Sequence, residues 1–358
     1  MRTRFPAAWL ACLLTFASCG GDGGSSAGDA AGRTGALVAG TFTNPIVAAA
    51  RPGGSADPSV VYRDGHYHYC RSIGNRAIGI ARARRLQDIG SAPLVTVWTA
   101  PAGTAWSDEV WAPELQYLRG RWYVYFAASD GRNVTHRMYV LEGQSQDLQG
   151  AYAFKGRIAA PGDAWAIDGV ALEHDDALYF VWSGLRDETQ QFPQVLYIAP
   201  MSDPWTISGE RREIAAPDHA WEQVGAALLE GPAVLQRNGS LHLAYSASAS
   251  WTDDYALGLL TFRGGDILSA ASWQKTSLPS FGKRPEAAVW GPGHNSFVRS
   301  PDGSEDWIVY HGIDTSGGGW EQRSVRAQPF GWKADGSPDF GRPVAPGAPL
   351  AQPSGTPG

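Results

Sequence analysis

Short runs of alternating apolar and polar residues recur five times along the chain, each broken by a turn. The first copy opens at Asp57, runs through Val60-Val61-Tyr62, turns at Asp64-Gly65 and returns through Tyr67 and Tyr69. The second opens at Glu114, turns at Gly120 and returns through Trp122-Tyr123-Val124-Tyr125-Phe126. The third opens at Asp168, turns at Asp175-Asp176 and returns through Leu178 to Trp182. The fourth opens at Glu230 and turns at Asn238-Gly239; the fifth opens at His294 and turns at Asp302-Gly303. Asn-Gly and Asp-Gly pairs between β-branched and aromatic runs mark hairpins. The starts are spaced 57, 54, 62 and 64 residues apart, which leaves room for two more strands in each unit. Four strands per unit at this period predict an all-β fold, a five-bladed β-propeller. A β-sandwich containing five hairpins is the competing fold. It gives no reason for four copies to open on a carboxylate and the fifth on His.

Composition agrees with short strands and tight turns. The chain combines 44 Gly and 24 Pro with 15 Trp and 13 Tyr, and a disordered chain would lack those aromatics. A formal charge of −6 argues against nucleic acid as a partner, since phosphate backbones demand basic surface. Arg2 and Arg4 precede an apolar run from Ala7 to Phe16 that is too short to span a membrane, so residues 1–18 are expected to be a signal peptide. Phe16-Ala17-Ser18-Cys19-Gly20 resembles a bacterial lipobox, with Phe16 where Leu is usual. Cys19 would then carry lipid; ordinary cleavage near Ser18 is the alternative. Residues 19–40 make a flexible tether, 41–345 the catalytic propeller, and 346–358 a disordered tail. The expected location is the cell envelope after export, with the membrane touched only through the lipid anchor. Cys70 is the single thiol left in the body and is expected to be an inert strand residue.

The innermost strands of a propeller line its central channel, so residues 57, 114, 168, 230 and 294 are expected to form a ring at one mouth. Crowded carboxylates raise one another's pKa, and one then holds a proton at neutral pH. Glycoside hydrolysis needs such an acid beside an ionised partner. Oxygen coordination of Ca²⁺ is the other use of an acidic ring, although calcium loops usually draw their acids from nearby positions. Trp111 and Trp165 each stand three residues before a ring position, and Trp290 stands four before. Their rings suit stacking on the C–H face of a sugar, and equally suit packing between blades.

Several segments together resemble glycoside hydrolase family 43. They are Ala56-Asp57-Pro58-Ser59, Trp111-Ala112-Pro113-Glu114-Leu115, Ala166-Ile167-Asp168-Gly169, Glu230-Gly231-Pro232, Gly291-Pro292-Gly293-His294-Asn295-Ser296 and Tyr310-His311-Gly312. The closing stretch Trp332 to Gly341 also looks like that family's last strands, so the resemblance covers about Asn44 to Val344. It implies an inverting hydrolase without a required cofactor, in which Asp57 activates water, Glu230 protonates the leaving oxygen, and Asp168 orients that acid and keeps its pKa raised. It further implies that Trp111, Glu114, Trp165, His294 and Arg323 contact substrate. Arg323 would reach the terminal sugar near Asp168, with Arg326 as the other candidate. His294 would sit at the channel floor, where the family also allows a structural Ca²⁺.

The wording around Trp111, Trp165 and Arg326-Ala327-Gln328 looks most like members that release arabinose from α-1,5-arabinan or arabino-oligosaccharides of plant cell walls. Xylosides and galactans are the family's alternative substrates. Fructan hydrolases of related fold are disfavoured because Asp168 follows Ile167, where they carry Arg-Asp-Pro. A non-catalytic carbohydrate-binding propeller is disfavoured because all three acids are present.

Overall fold

Four of the five innermost hairpins turn on two residues that both take positive φ: Asp64-Gly65 (50° and 77°), Arg119-Gly120 (47° and 84°), Asp175-Asp176 (48° and 63°) and Asn238-Gly239 (49° and 80°). That geometry matches the right-handed twist of the flanking strands, which is why Asn, Asp and Gly dominate there. The computed structural model describes residues 40–50 and 54–358. The signal peptide over 1–18, Cys19 and nearly all of the 19–40 tether lie outside the described residues. No helix among the described residues is long and apolar enough to cross a membrane.

Each hairpin grows into an antiparallel sheet, and the five sheets are the blades of a propeller. Blade 1 comprises Ser59–Arg63, His66–Ile73, Ala77–Ala83 and Leu94–Thr99, from the innermost strand outward. Blade 2 comprises Asp108–Leu118, Arg121–Ser129, Arg137–Gly143 and Tyr152–Ile158. In blade 3, Ala166–His174, Ala177–Leu185 and Gln194–Asp203 are followed by two short strands, Thr206–Ile207 and Arg212–Ala215, that both pair the third. Blade 4 comprises Leu229–Arg237, Ser240–Ala247, Ala256–Phe262 and Trp273–Lys275, and blade 5 comprises Trp290–Arg299, Asp306–Ile313, Ser324–Trp332 and Pro338–Asp339.

Apolar packing runs between blades around the whole ring. Tyr125, Met138, Phe180 and Trp182 join blades 2 and 3, while Leu172, Leu196, Leu243 and Tyr245 join blades 3 and 4. Leu257, Phe281 and Tyr310 join blades 4 and 5, and Ile80, Val124 and Leu141 join blades 1 and 2. Tyr67 and Tyr69 of blade 1 share the fifth cluster with Trp307 and Val309 of blade 5, which closes the circle. Two packed sheets could not provide five such seams.

The C-terminal segment differs from expectation. Residues 346–358 are not a disordered tail: Pro349–Ala351 pairs antiparallel with Thr41–Thr43, in the register Phe42 to Leu350. Beyond it, the Ser354 amide donates to Glu305 at 3.0 Å and its hydroxyl to Asp302 at 2.5 Å. Backbone pairing and two loop carboxylates therefore order a stretch whose Pro, Gly and Ala content reads as coil. The body extends past residue 345 accordingly.

Candidate active site

The site is built on a backbone irregularity repeated around the channel. In blades 2 to 5 the innermost strand bulges, setting two residues against one between Trp111 and Glu114, Ile167 and Val170, Glu230 and Ala233, and Gly293 and Ser296. The first bulged residue has positive φ each time: Ala112 (42°), Asp168 (57°), Gly231 (55°) and His294 (41°). Asp57, just ahead of the blade 1 strand, matches them at 50°. Left-handed geometry at a non-glycine residue costs on the order of 1–3 kcal/mol, and such strain concentrates where side chains must be aimed at a site.

This bulge sets the true phase of the repeat. Asp57, Asp168 and His294 are equivalent, whereas Glu230 stands one residue before the matching Gly231 and Glu114 two after the matching Ala112. The expectation that four acids occupy equivalent positions is corrected on this point. A bulge adds a residue and shifts the alternation of side chains.

Convergence nevertheless holds, and His294 is its centre. The buried imidazole places Nδ1 at 3.4 Å from Asp57 Oδ1 and 3.8 Å from Asp168 Oδ2, and Nε2 at 3.1 Å from Glu114 Oε1. Since one nitrogen meets both, those Asp57 and Asp168 oxygens lie within about 7.2 Å of each other. The Ser246 hydroxyl oxygen fixes the ring's backbone by accepting from the His294 amide at 2.8 Å. Asp168 Oδ2 also accepts from the Gly231 amide at 3.1 Å, tying it to the blade that carries Glu230. Glu230 Oε1 accepts from the Tyr255 hydroxyl at 2.8 Å, which leaves the other oxygen to carry a proton.

The surroundings drive the carboxyls apart in pKa. Burial raises Asp57, but His294, a hydrogen bond from His311, and Arg323 outweigh it and hold the group well below the usual carboxylate range. Glu230 is pushed up to about 8, by burial first and by the Asp168 charge second, against the Tyr255 hydrogen bond. Asp168 rises to about 6 through burial, opposed by His294 and assisted by Asp57 and Glu114. Burial alone would lower His294, but Asp57, Asp168 and Glu114 raise it to about 10, so it stands as an imidazolium. At neutral pH Asp57 and Asp168 are thus ionised while Glu230 holds its proton, and the pairing of ionised Asp57 with protonated Glu230 is the division of labour an inverting hydrolase needs.

Both His294 ring nitrogens face carboxylates, so the imidazole itself is not free to ligate Ca²⁺. Among the described residues, no group of three or more His, Cys, Asp or Glu side chains is arranged to hold a metal.

Other expected contacts divide. Arg323 lies at the site, its Nη1 3.8 Å from Asp57 Oδ1. Arg326 is fully buried on the third strand of blade 5 and pairs with Asp314, so it cannot reach a sugar. Trp111 is half-buried, its ring stacked on His136 with centroids 4.0 Å apart. Trp165 is only 4% exposed and packs in the seam between blades 2 and 3, its indole donating to Asn133 O at 2.8 Å. It offers no free face to a sugar, because the Asn133–Thr135 turn and His136 lie against it. Cys70 is buried in the seam between blades 1 and 2, and burial raises its thiol pKa, which suits an inert residue.

Two site residues had no role assigned from sequence. His311 places Nδ1 3.3 Å from Asp57 Oδ1 and stacks on Tyr255 with centroids 5.5 Å apart; burial lowers its pKa to about 4, so the ring is neutral. Its signal was the Tyr310-His311-Gly312 segment. Tyr255 sits in a loop with no motif around it.

Known proteins give this geometry a context. The family model for glycosyl hydrolases family 43 matches residues 42–338. An extracellular exo-α-(1→5)-L-arabinofuranosidase of Streptomyces avermitilis is 41% identical over 86% of this chain and 64% of its own length. α-L-Arabinofuranosidase 43 of Humicola insolens is 38% identical over 82% of this chain and 62% of its own. The chain therefore spans less than two thirds of the length of these two relatives. The crystal structure of an α-L-arabinofuranosidase from Lactobacillus brevis superposes with a TM-score of 0.79 at 35% identity, covering 86% of this chain and 98% of that one. With a match that runs through all five blades and takes in every acid of the site, the chain belongs to the glycosyl hydrolases of family 43.

Proposed function

We propose that this chain is an exported, inverting α-L-arabinofuranosidase that releases arabinose from the ends of α-1,5-arabinan or arabino-oligosaccharides, tethered to the cell envelope by lipid on Cys19. The observation that carries the reading is the convergence of Asp57, Asp168 and Glu230 at one mouth around His294, where half-buried Asp57 is held low and buried Glu230 is pushed up to about 8. The arabinofuranosidase names of the relatives at 41% and 38% identity support the substrate, and the extracellular location in the first name supports export.

In one step, ionised Asp57 takes a proton from water while the water oxygen bonds to the anomeric carbon. Glu230 gives its proton to the departing oxygen on the opposite face, and the glycosidic bond breaks. His294, His311 and Arg323 hold Asp57 ionised, and burial together with the Asp168 charge keeps Glu230 protonated. Proton exchange with solvent then restores both carboxyls. Proton NMR of the first minutes of arabinotriose hydrolysis tests this. The β-anomer of arabinose is expected first; first release of the α-anomer, or no cleavage at all, overturns the assignment.

A further inference from the structure

We infer that Trp251 and Trp320 form an aromatic platform that receives the second sugar, on the leaving-group side of the bond being cleaved; this rests on the arabinofuranosidase reading above. They are the two tryptophans among the exposed large apolar side chains of the described residues, at 41% and 48% exposure. Their rings meet edge to face, centroids 5.4 Å apart and planes at 84°.

Topology puts them at the catalytic mouth. The innermost strand of blade 4 starts at Leu229, next to Glu230, and Leu229 pairs with Ala247 at the end of the second strand. The loop over 248–255 that follows is therefore at the same end as Glu230. Blade 5 repeats the arrangement, since Trp290 pairs with Ile313 and the loop over 314–323 follows. Trp251 lies in the first loop and Trp320 in the second.

Both loops are anchored to the chemistry at their far ends. Tyr255, in the loop of Trp251, donates to Glu230, and Arg323, which follows Trp320, faces Asp57 and donates from Nε to the Trp320 carbonyl at 3.3 Å. The loops are also clipped to each other. Asp253 accepts from the Ser316 hydroxyl and from the Gly317 amide at 2.8 Å, and the Trp320 indole donates to Ser250 Oγ at 3.0 Å. A preorganised apolar surface of this kind binds without first ordering itself.

The reacting sugar must lie between Asp57 and Glu230, with the buried His294 ring beneath. The remainder of the substrate then leaves over the rim, where the indoles are exposed. A 1,5-linked arabinofuranose presents an exocyclic methylene and a C–H face there, and both suit an indole surface.

The test compares kcat/KM on arabinotriose with that on methyl α-L-arabinofuranoside, whose aglycone is too small to reach the platform. In Trp320→Ala and Trp251→Ala the triose-to-methyl ratio is expected to fall roughly three- to tenfold, the worth of one aromatic contact, mostly through KM. Trp320→Phe should recover most of the ratio, and thermal melting of each variant separates this from a folding defect. An unchanged ratio, or equal loss on both substrates, overturns the platform. A wild-type chain that cleaves neither arabinoside sinks the arabinofuranosidase reading itself.

Discussion

Replacing Asp168 by asparagine isolates one charge in the mechanism. The amide keeps the shape of the side chain and an oxygen to accept from the Gly231 amide, now at 3.1 Å, but carries no charge. Burial is the larger cause of the high Glu230 pKa of about 8, and the Asp168 carboxylate is the next. A neighbouring charge at this range moves a pKa by roughly 1–3, so a fall of about 1.5 is a central expectation. Glu230 would then titrate near 6.5, and its protonated fraction at pH 7 would drop from about nine-tenths to about one quarter. The sign follows from the role: an acid must be protonated to act, so a lower pKa ends activity at lower pH. The assay is kcat/KM against pH on arabinotriose, whose alkaline limb reports the acid of the free enzyme. The wild type should lose activity near pH 8 and Asp168→Asn about 1.5 pH units earlier. Since Asp168 itself titrates near 6, the two profiles should converge below that pH apart from a constant factor. An alkaline limb that stays in place would refute the claim that Asp168 charge holds the acid protonated.

Glu230→Gln should lose at least about 100-fold on arabinotriose but far less on an arabinoside with a good leaving group, which needs little protonation; equal losses in steady-state rates would count against Glu230 as the acid. Gly231→Ala places a Cβ 3.0 Å from His294 Nδ1 at a φ of 55°, so activity should drop sharply and the melting temperature should fall with a strain of about 1–2 kcal/mol. Truncation before Pro349 removes the partner of Thr41–Thr43 and should destabilise the chain by about 2 kcal/mol in denaturant melts. Because the Asp302 and Glu305 contacts of that segment lie in the turn of the blade 5 hairpin, away from the mouth, arabinotriose turnover by the folded truncated chain should be retained.

Much of this molecule is local information. The Asp64-Gly65 and Asn238-Gly239 turns, the alternating aromatic strands and their even spacing determine five hairpins, and five amphipathic hairpins of one chain bury their faces best as a ring. Asp57, Asp168, Glu230 and His294 were legible too, because each stands at the head of an innermost strand and those heads meet at one mouth.

Tertiary structure decided the rest. The bulges set the phase of each strand head, so that Glu230 and Glu114 reach the site from positions not equivalent to Asp57. Closure of blade 5 against blade 1 brought His311 beside Asp57, and a loop of blade 4 delivered Tyr255 to Glu230. Packing against the Asn133–Thr135 turn turned Trp165 into a core residue, and pairing with Thr41–Thr43 ordered Pro349–Ala351. In each case the deciding contact joins residues far apart in sequence. Alternation along a strand fixes which face a side chain takes, whereas the neighbour it meets there, and hence its charge state, depends on how the blades close.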